Sequence, residues 1–136
     1  MYETFEHTAD LGLRVHAKTL ETLFEDAGRG IFSMMTTNLE GVRCLQERTY
    51  RIAGAATDYL LFDWLNELLY TFESERLLLS EFTVVFDAAG LQATARGEPM
   101  DLDRHRMEHE VKAITYHGLR VEKDGDGWVA ELIVDI

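Results

Sequence analysis

The chain has 136 residues, of which 46% are hydrophobic and 28% charged, the composition of one globular domain that builds a core without covalent staples. Its 25 acidic and 13 basic residues give a net charge of −12 and a pI of about 4.7, which argues against a basic face for direct nucleic-acid binding. The single cysteine, Cys44, excludes an internal disulfide framework and an all-cysteine zinc site. The acidic start lacks a signal peptide's basic and apolar regions, and no run approaches the ~18 apolar residues of a membrane span. A cytoplasmic single domain over residues 1–136 is expected, without linkers, repeats or charged tails.

In chain order, Leu11, Leu13, Val15 and Ala17 alternate with polar residues and predict a half-buried strand. From Leu20 the apolar positions Leu23, Phe24, Ala27, Ile31, Met34 and Met35 recur at helical spacing, with Thr19 as N-cap and Glu21 in the first turn. Cys44 is read within a strand, as a small buried hydrophobe. A second helix carries Leu61, Trp64, Leu65, Leu68, Leu69 and Phe72 on one face, with Thr57 or Asp58 as cap. Phe82, Val84 and Phe86 alternate, and Asp87-Ala88-Ala89-Gly90 turns the chain into another strand over 91–96. Val111 to Glu122 reads as a strand that reverses at Asp124-Gly125-Asp126-Gly127 into a last strand from Trp128 to Ile136. The expected fold class is α+β: one small domain with a largely antiparallel or mixed sheet and two long amphipathic helices.

Three places could carry chemistry. His7-Thr8-Ala9-Asp10 precedes the first predicted strand; a carboxylate and an imidazole there can bind a cation, or simply organise a turn, the commoner use of such residues. Asp135 is penultimate and points away from the face shared by Trp128, Ala130, Leu132, Val134 and Ile136. If the last strand lies beside the His7–Asp10 corner, Asp10, Asp135 and the terminal oxygens of Ile136 form an all-oxygen cluster, which calls for a hard cation. In the late strand, Lys112 offers a positive charge to a phosphate, a partner or Asp10, although a solvated lysine is the commoner case. Tyr116 and His117 could donate protons but lack a second member of a catalytic pair.

Other patterns fail on inspection. His105-Arg106-Met107-Glu108-His109 has the inverted HxxEH order of one zinc-protease class, yet it runs straight into a strand where that class needs a long helix and a distant third ligand. Asp124-Gly125-Asp126-Gly127 begins like a calcium loop but has Trp128 and Val129 where an oxygen ligand and glycine are required. P-loop, GxGxxG and GxSxG motifs are absent.

Taken together, Phe5-Glu6-His7-Thr8-Ala9-Asp10-Leu11-Gly12, the helical Leu60-to-Tyr70 segment, Glu110 to His117, and Gly127-Trp128 with Ile133-Val134-Asp135-Ile136 resemble the archease family in sequence and order. The resemblance covers nearly the whole chain. It implies a small α+β accessory protein, not itself an enzyme, that assists the tRNA-splicing RNA ligase. That ligase joins 2′,3′-cyclic phosphate or 3′-phosphate ends to 5′-hydroxyl ends, using GTP, divalent metal and a ligase-histidine–GMP intermediate. The resemblance further implies promotion of ligase guanylylation and multiple turnover in tRNA splicing or RNA repair. It implies a divalent-metal site, calcium first with magnesium or manganese as alternatives, whose ligands fall on Asp10, Asp135 and Ile136. Lys112 and His7 take supporting roles. The alternatives are a small metal-dependent phosphohydrolase using Asp10 and Asp135, and a chaperone-like modulator of a tRNA-modifying enzyme.

Overall fold

The alternation from Leu11 becomes strand β2 (Asp10–Ala17), with Leu13 and Val15 fully buried and Arg14 and His16 on the opposite face. The computed structural model describes residues 1–7 and 10–136, with His7 described through its backbone. Ahead of β2 it places a strand that the hydrophobic pattern does not announce, β1 (Tyr2–His7), paired antiparallel with β2.

Helix α1 (Leu20–Met35) starts as its sequence predicts: Thr19 Oγ1 accepts the Thr22 N–H at 3.1 Å, and Glu21 sits in the first turn. Leu23, Phe24, Ala27 and Ile31 are fully buried, and so is Phe32, outside the predicted stripe. Gly30 lets the helix lie directly on β2, because a Cβ there would come 2.5 Å from Leu13 Cδ1. A short 3₁₀ turn (Leu39–Gly41) leads to β3 (Gln46–Ala53). Cys44 falls between them, outside any strand and exposed, because the pairing of β3 begins only at Gln46.

Helix α2 (Thr57–Glu75) has Ala56 as its N-cap residue, without a side-chain cap. Thr57 and Asp58 are already inside the first turn, where the Asp58 carboxylate accepts the Tyr59 N–H at 2.9 Å. Leu61, Trp64, Leu65 and Leu68 are fully buried, and Trp64 Nε1 donates to the Phe24 carbonyl of α1 at 3.0 Å. The helix ends where Arg76 turns into the left-handed region (φ 52°), its N–H on the Phe72 carbonyl and its guanidinium 5.3 Å from the Phe72 ring centroid.

Two hairpins follow. β4 (Leu77–Asp87) and β5 (Gly90–Pro99) join at a turn in which Asp87 Oδ1 accepts the N–H groups of Ala89 and Gly90. β6 (Ala113–Asp124) and β7 (Gly127–Asp135) join at the predicted two-residue turn, with Gly125 at φ +60°. The α+β class with two helices and antiparallel pairing is as expected; among the described residues the strands form two sheets, β1-β2-β7-β6 and β3-β5-β4, where one was expected. The helices explain the division. α1 buries Gly28, Gly30 and Phe32 as well as its stripe, an arc too wide for one surface, and it packs against β2 of one sheet and β4 of the other. α2 packs against β6 and against the three-stranded sheet. At roughly 1.5–3 kcal/mol for each large side chain fully buried, this shared core dominates the stabilisation. Among the described residues no helix is long and apolar enough to cross a membrane.

Candidate functional site

One corner of the four-stranded sheet gathers the ends of all its strands. Antiparallel pairing sets Asp10, the first residue of β2, opposite Asp135, the last of β7. The same register sets His7 opposite Asp10 and Ala113 opposite Asp135. Residues directly opposite share a face, and β2 commits Leu13 and Val15 to the core, so Asp10 and Asp135 emerge together on the outer face. Asp135 is exposed and Asp10 half-buried. Ile136 packs part-buried against the core, which anchors the end of β7. The Lys112 N–H donates to the Asp135 carbonyl at 2.8 Å and ties the approach to β6 into the same corner.

The flank of the corner is packed. A Cβ at Gly12 would fall 2.0 Å from the Phe5 ring, so glycine is what allows Phe5 to lie flat across β2. The Arg14 guanidinium stacks 4.9 Å from that ring and binds Glu3 at 3.0 Å and Glu131 at 2.9 Å. Glu131 also meets Arg120 at 3.6 Å, so charges alternate in sign across all four strands. Such exposed pairs contribute little each, up to about 1 kcal/mol, and they lie four residues along β2 from Asp10.

Two carboxylates facing each other on one pleat repel. The register brings the two residues within one strand spacing of each other, so an ion between them would be held by both. The donor set is all oxygen, which suits calcium, magnesium or manganese. The two aspartates fit such an ion as a partial shell. Among the described residues no group of three or more His, Cys, Asp and Glu side chains is gathered to hold a metal, so further ligands would come from the Ile136 carboxylate, backbone or water. Thr8 and Ala9 lie outside the described residues, as does the His7 side chain, for which a supporting role was expected.

Lys112 does not form the contact with Asp10 that was one of its readings. Its side chain has no ion-pair partner among the described residues, and the residue lines a cleft of about 350 Å³ with Glu110, Phe72, Glu73 and Arg76 at the end of α2. Tyr116 stacks on Tyr59 at 5.2 Å and donates to Asp58 Oδ2 at 3.0 Å. The Tyr59 contact, partial burial and the Asp58 carboxylate all push its pKa up, which removes it as a ready proton donor. The Cys44 thiol is likewise pushed up, by partial desolvation and by Glu81, so it is a poor nucleophile.

The His105–His109 pattern is no zinc helix. Residues 105–109 form an extended segment bridged at Met107 to Thr36, and His105 is buried while His109 is not. His105 belongs instead to a buried cluster that the sequence does not signal. Glu98, 2% exposed, accepts the Arg43 backbone N–H, Arg43 Nη2 at 3.2 Å and Arg104 Nη1, and lies 3.5 Å from His105 Nε2. Asp101 N–H donates to His105 Nδ1 at 2.9 Å, which closes the loop over this carboxylate.

The model of the Archease protein family (MTH1598/TM1083) matches residues 2–136. The chain belongs to the archease family. The archease of Methanopyrus kandleri is 39% identical over 99% of both chains, and that of Sulfurisphaera tokodaii 36% identical over 99% of this chain and 98% of its own. The solution structure of Methanobacterium thermoautotrophicum protein 1598 superposes with a TM-score of 0.87 at 34% identity, covering 99% of this chain and 98% of that one. The crystal structure of a Thermotoga maritima archease, described as a possible chaperone, shares the fold at TM-score 0.69 and 23% identity, covering 100% and 98%.

Proposed function

We propose that this archease is a divalent-metal-binding activator of the GTP-dependent RNA ligase that joins 3′-phosphate and 5′-hydroxyl ends, promoting its guanylylation and turnover. The observation that supports the reading is the facing of Asp10 and Asp135 at one exposed sheet corner, in a chain whose motifs follow the family's order. Asp10, Asp135 and the carboxylate of Ile136 would hold the ion, calcium first and magnesium or manganese as alternatives. When bound, the ion supplies positive charge to phosphate oxygens. The residues themselves do three things in this reading: the aspartates present oxygens where a partner cleft can reach them, Phe5 and Arg14 hold the flank of β2, and Lys112 offers a cation from the cleft at the end of α2. His7 supports β2 from the facing position of β1. The net charge of −12 steers the protein towards a basic, RNA-handling partner.

The experiment follows GMP transfer onto the ligase of the same source, with GTP and divalent metal, at substoichiometric archease. Faster guanylylation that Asp135→Ala abolishes is the expected result. Full activation by both Asp10→Ala and Asp135→Ala refutes the role of the corner. No activation of a competent ligase refutes the activator reading. In that case, turnover of a phosphoester panel would favour a phosphohydrolase, and suppression of aggregation would favour a chaperone-like role, as described for the Thermotoga protein.

A further inference from the structure

The two edges of the three-stranded sheet are not alike. At the β4 edge the Val84 N–H donates to Glu25 Oε2 of α1 at 2.9 Å, so the helix occupies one outward group of that edge with a carboxylate. At the β3 edge, the backbone from Thr49 to Ala53 has hydrogen-bond partners only in β5 among the described residues. In an antiparallel strand paired on one side, alternate residues turn their N–H and C=O groups outward. Those of β3 face a groove of about 630 Å³ between Arg51–Ala53 and helix α2.

Tyr50 and Ile52 anchor this edge. The Tyr50 ring packs edge-on against Trp64, its hydroxyl lies 2.7 Å from Thr71 Oγ1, and Ile52 is buried. Beyond them α2 lines the groove with Asp63, Glu67 and Tyr70 at i, i+4 and i+7, one row along the helix. Seven helical residues rise about 10 Å, the length of about three extended residues. The nearby cations are already engaged with other acids: Arg48 with Glu75, Arg96 with Glu47, and Arg51 3.8 Å from Asp87. Asp63 and Glu67 are exposed and have no cationic partner among the described residues, and Tyr70 is 66% exposed.

We infer that this groove binds an extended, lysine- or arginine-bearing segment of a partner protein, added as a fourth strand on β3. The outward backbone groups of β3 supply the ladder. Side chains of the added strand alternate, so every second one faces α2, where Asp63 and Glu67 take cations and Tyr70 offers an aromatic face to one. A second copy of this chain suits the groove poorly, since two-fold pairing of β3 with β3 would bring like carboxylate rows together. The groove lies on the sheet that does not carry the Asp10–Asp135 corner, so the inference does not depend on the ligase reading.

The test titrates the ¹⁵N-labelled full chain with an eight-residue alternating lysine–valine peptide, and separately with its glutamate–valine counterpart. The expected result is that amide shifts confine themselves to residues 46–53 and 63–70, and that alternate amides of 49–53 exchange more slowly with the lysine peptide bound. Asp63→Asn with Glu67→Gln, both exposed positions, is expected to weaken binding roughly five- to tenfold, with the rest of the spectrum unchanged. The glutamate peptide is expected not to bind. Shifts elsewhere on the acidic surface, unaltered binding to the double variant, or equal binding of the glutamate peptide each overturn the inference. So does a concentration-dependent dimer protected along β3.

Discussion

Glu98 is a demanding test of how this fold holds its polar interior. Replacing it with glutamine keeps the size of the side chain but removes the charge, and sets an amide NH₂ against donors. Among the described residues the Arg43 N–H has no other acceptor, while the guanidiniums of Arg43 (57% exposed) and Arg104 (35% exposed) can turn to water. Breaking a buried charged pair costs about 3–5 kcal/mol, and the escape of the arginines lowers that to about 2–3 kcal/mol. For a domain of this length the loss corresponds to roughly 10 °C in Tm. Burial raises the Glu98 pKa, but the Arg43 N–H and the two guanidiniums outweigh burial and bring it down from 4.5 to about 2. A depressed carboxyl stabilises the fold fully above its unfolded value and loses that contribution as pH falls through its folded value. Urea unfolding of both proteins, followed by tryptophan fluorescence, is therefore expected to show a gap that is constant near pH 7 and narrows between pH 4.5 and about 2. A gap below ~1 kcal/mol at pH 7, or one that widens in acid, refutes this account.

Gly12→Ala forces the Phe5 ring off β2 and is expected to cost about 1–3 kcal/mol, read by thermal unfolding; a ring-current shift lost from the Gly12 neighbours would report the displacement. Trp64→Phe removes both the hydrogen bond to the Phe24 carbonyl and part of the contact with Phe82. Denaturant titration is expected to show a loss of ~2–3 kcal/mol with an unchanged m value. Calcium at a hundredfold excess over its Kd is expected to stabilise the protein by about 2.7 kcal/mol in differential scanning fluorimetry. Asp10→Asn is expected to abolish that gain, yet to equal or slightly exceed the wild type in chelator, because one of two facing charges is gone. A calcium response surviving in the variant would exclude Asp10 as a ligand.

The helices were the most legible part of the sequence. Thr19 and the stripe from Leu23 to Met35 describe α1, and the Leu61–Phe72 face describes α2, because both rest on local spacing. Local rules also read the β4–β5 and β6–β7 hairpins from their turn residues. β1 escaped because three of the five residues from Tyr2 to Glu6 are exposed and their pattern carries little contrast. The two-sheet arrangement escaped for another reason: the pairing of β2 with β7 is non-local, and nothing in the period of either strand states its partner. That same pairing decides whether Asp10 and Asp135 meet, so the sequence could name both residues but not bring them together. Cys44 and the Glu98–His105 cluster show the reverse limit. A lone cysteine looks like a core residue and a glutamate in a strand looks solvated, until the loop over 100–109 folds across the end of β5 and buries one but not the other.

The register of β2 with β7 also has a temporal side. During synthesis β2 leaves the ribosome long before β7 exists, and its neighbour on that side stays vacant while the helices and the second sheet are made. A nascent chain that has not yet made β7 can therefore display Asp10 but not the facing pair. The facing acids are thus assembled only once the last strand of the chain has been made.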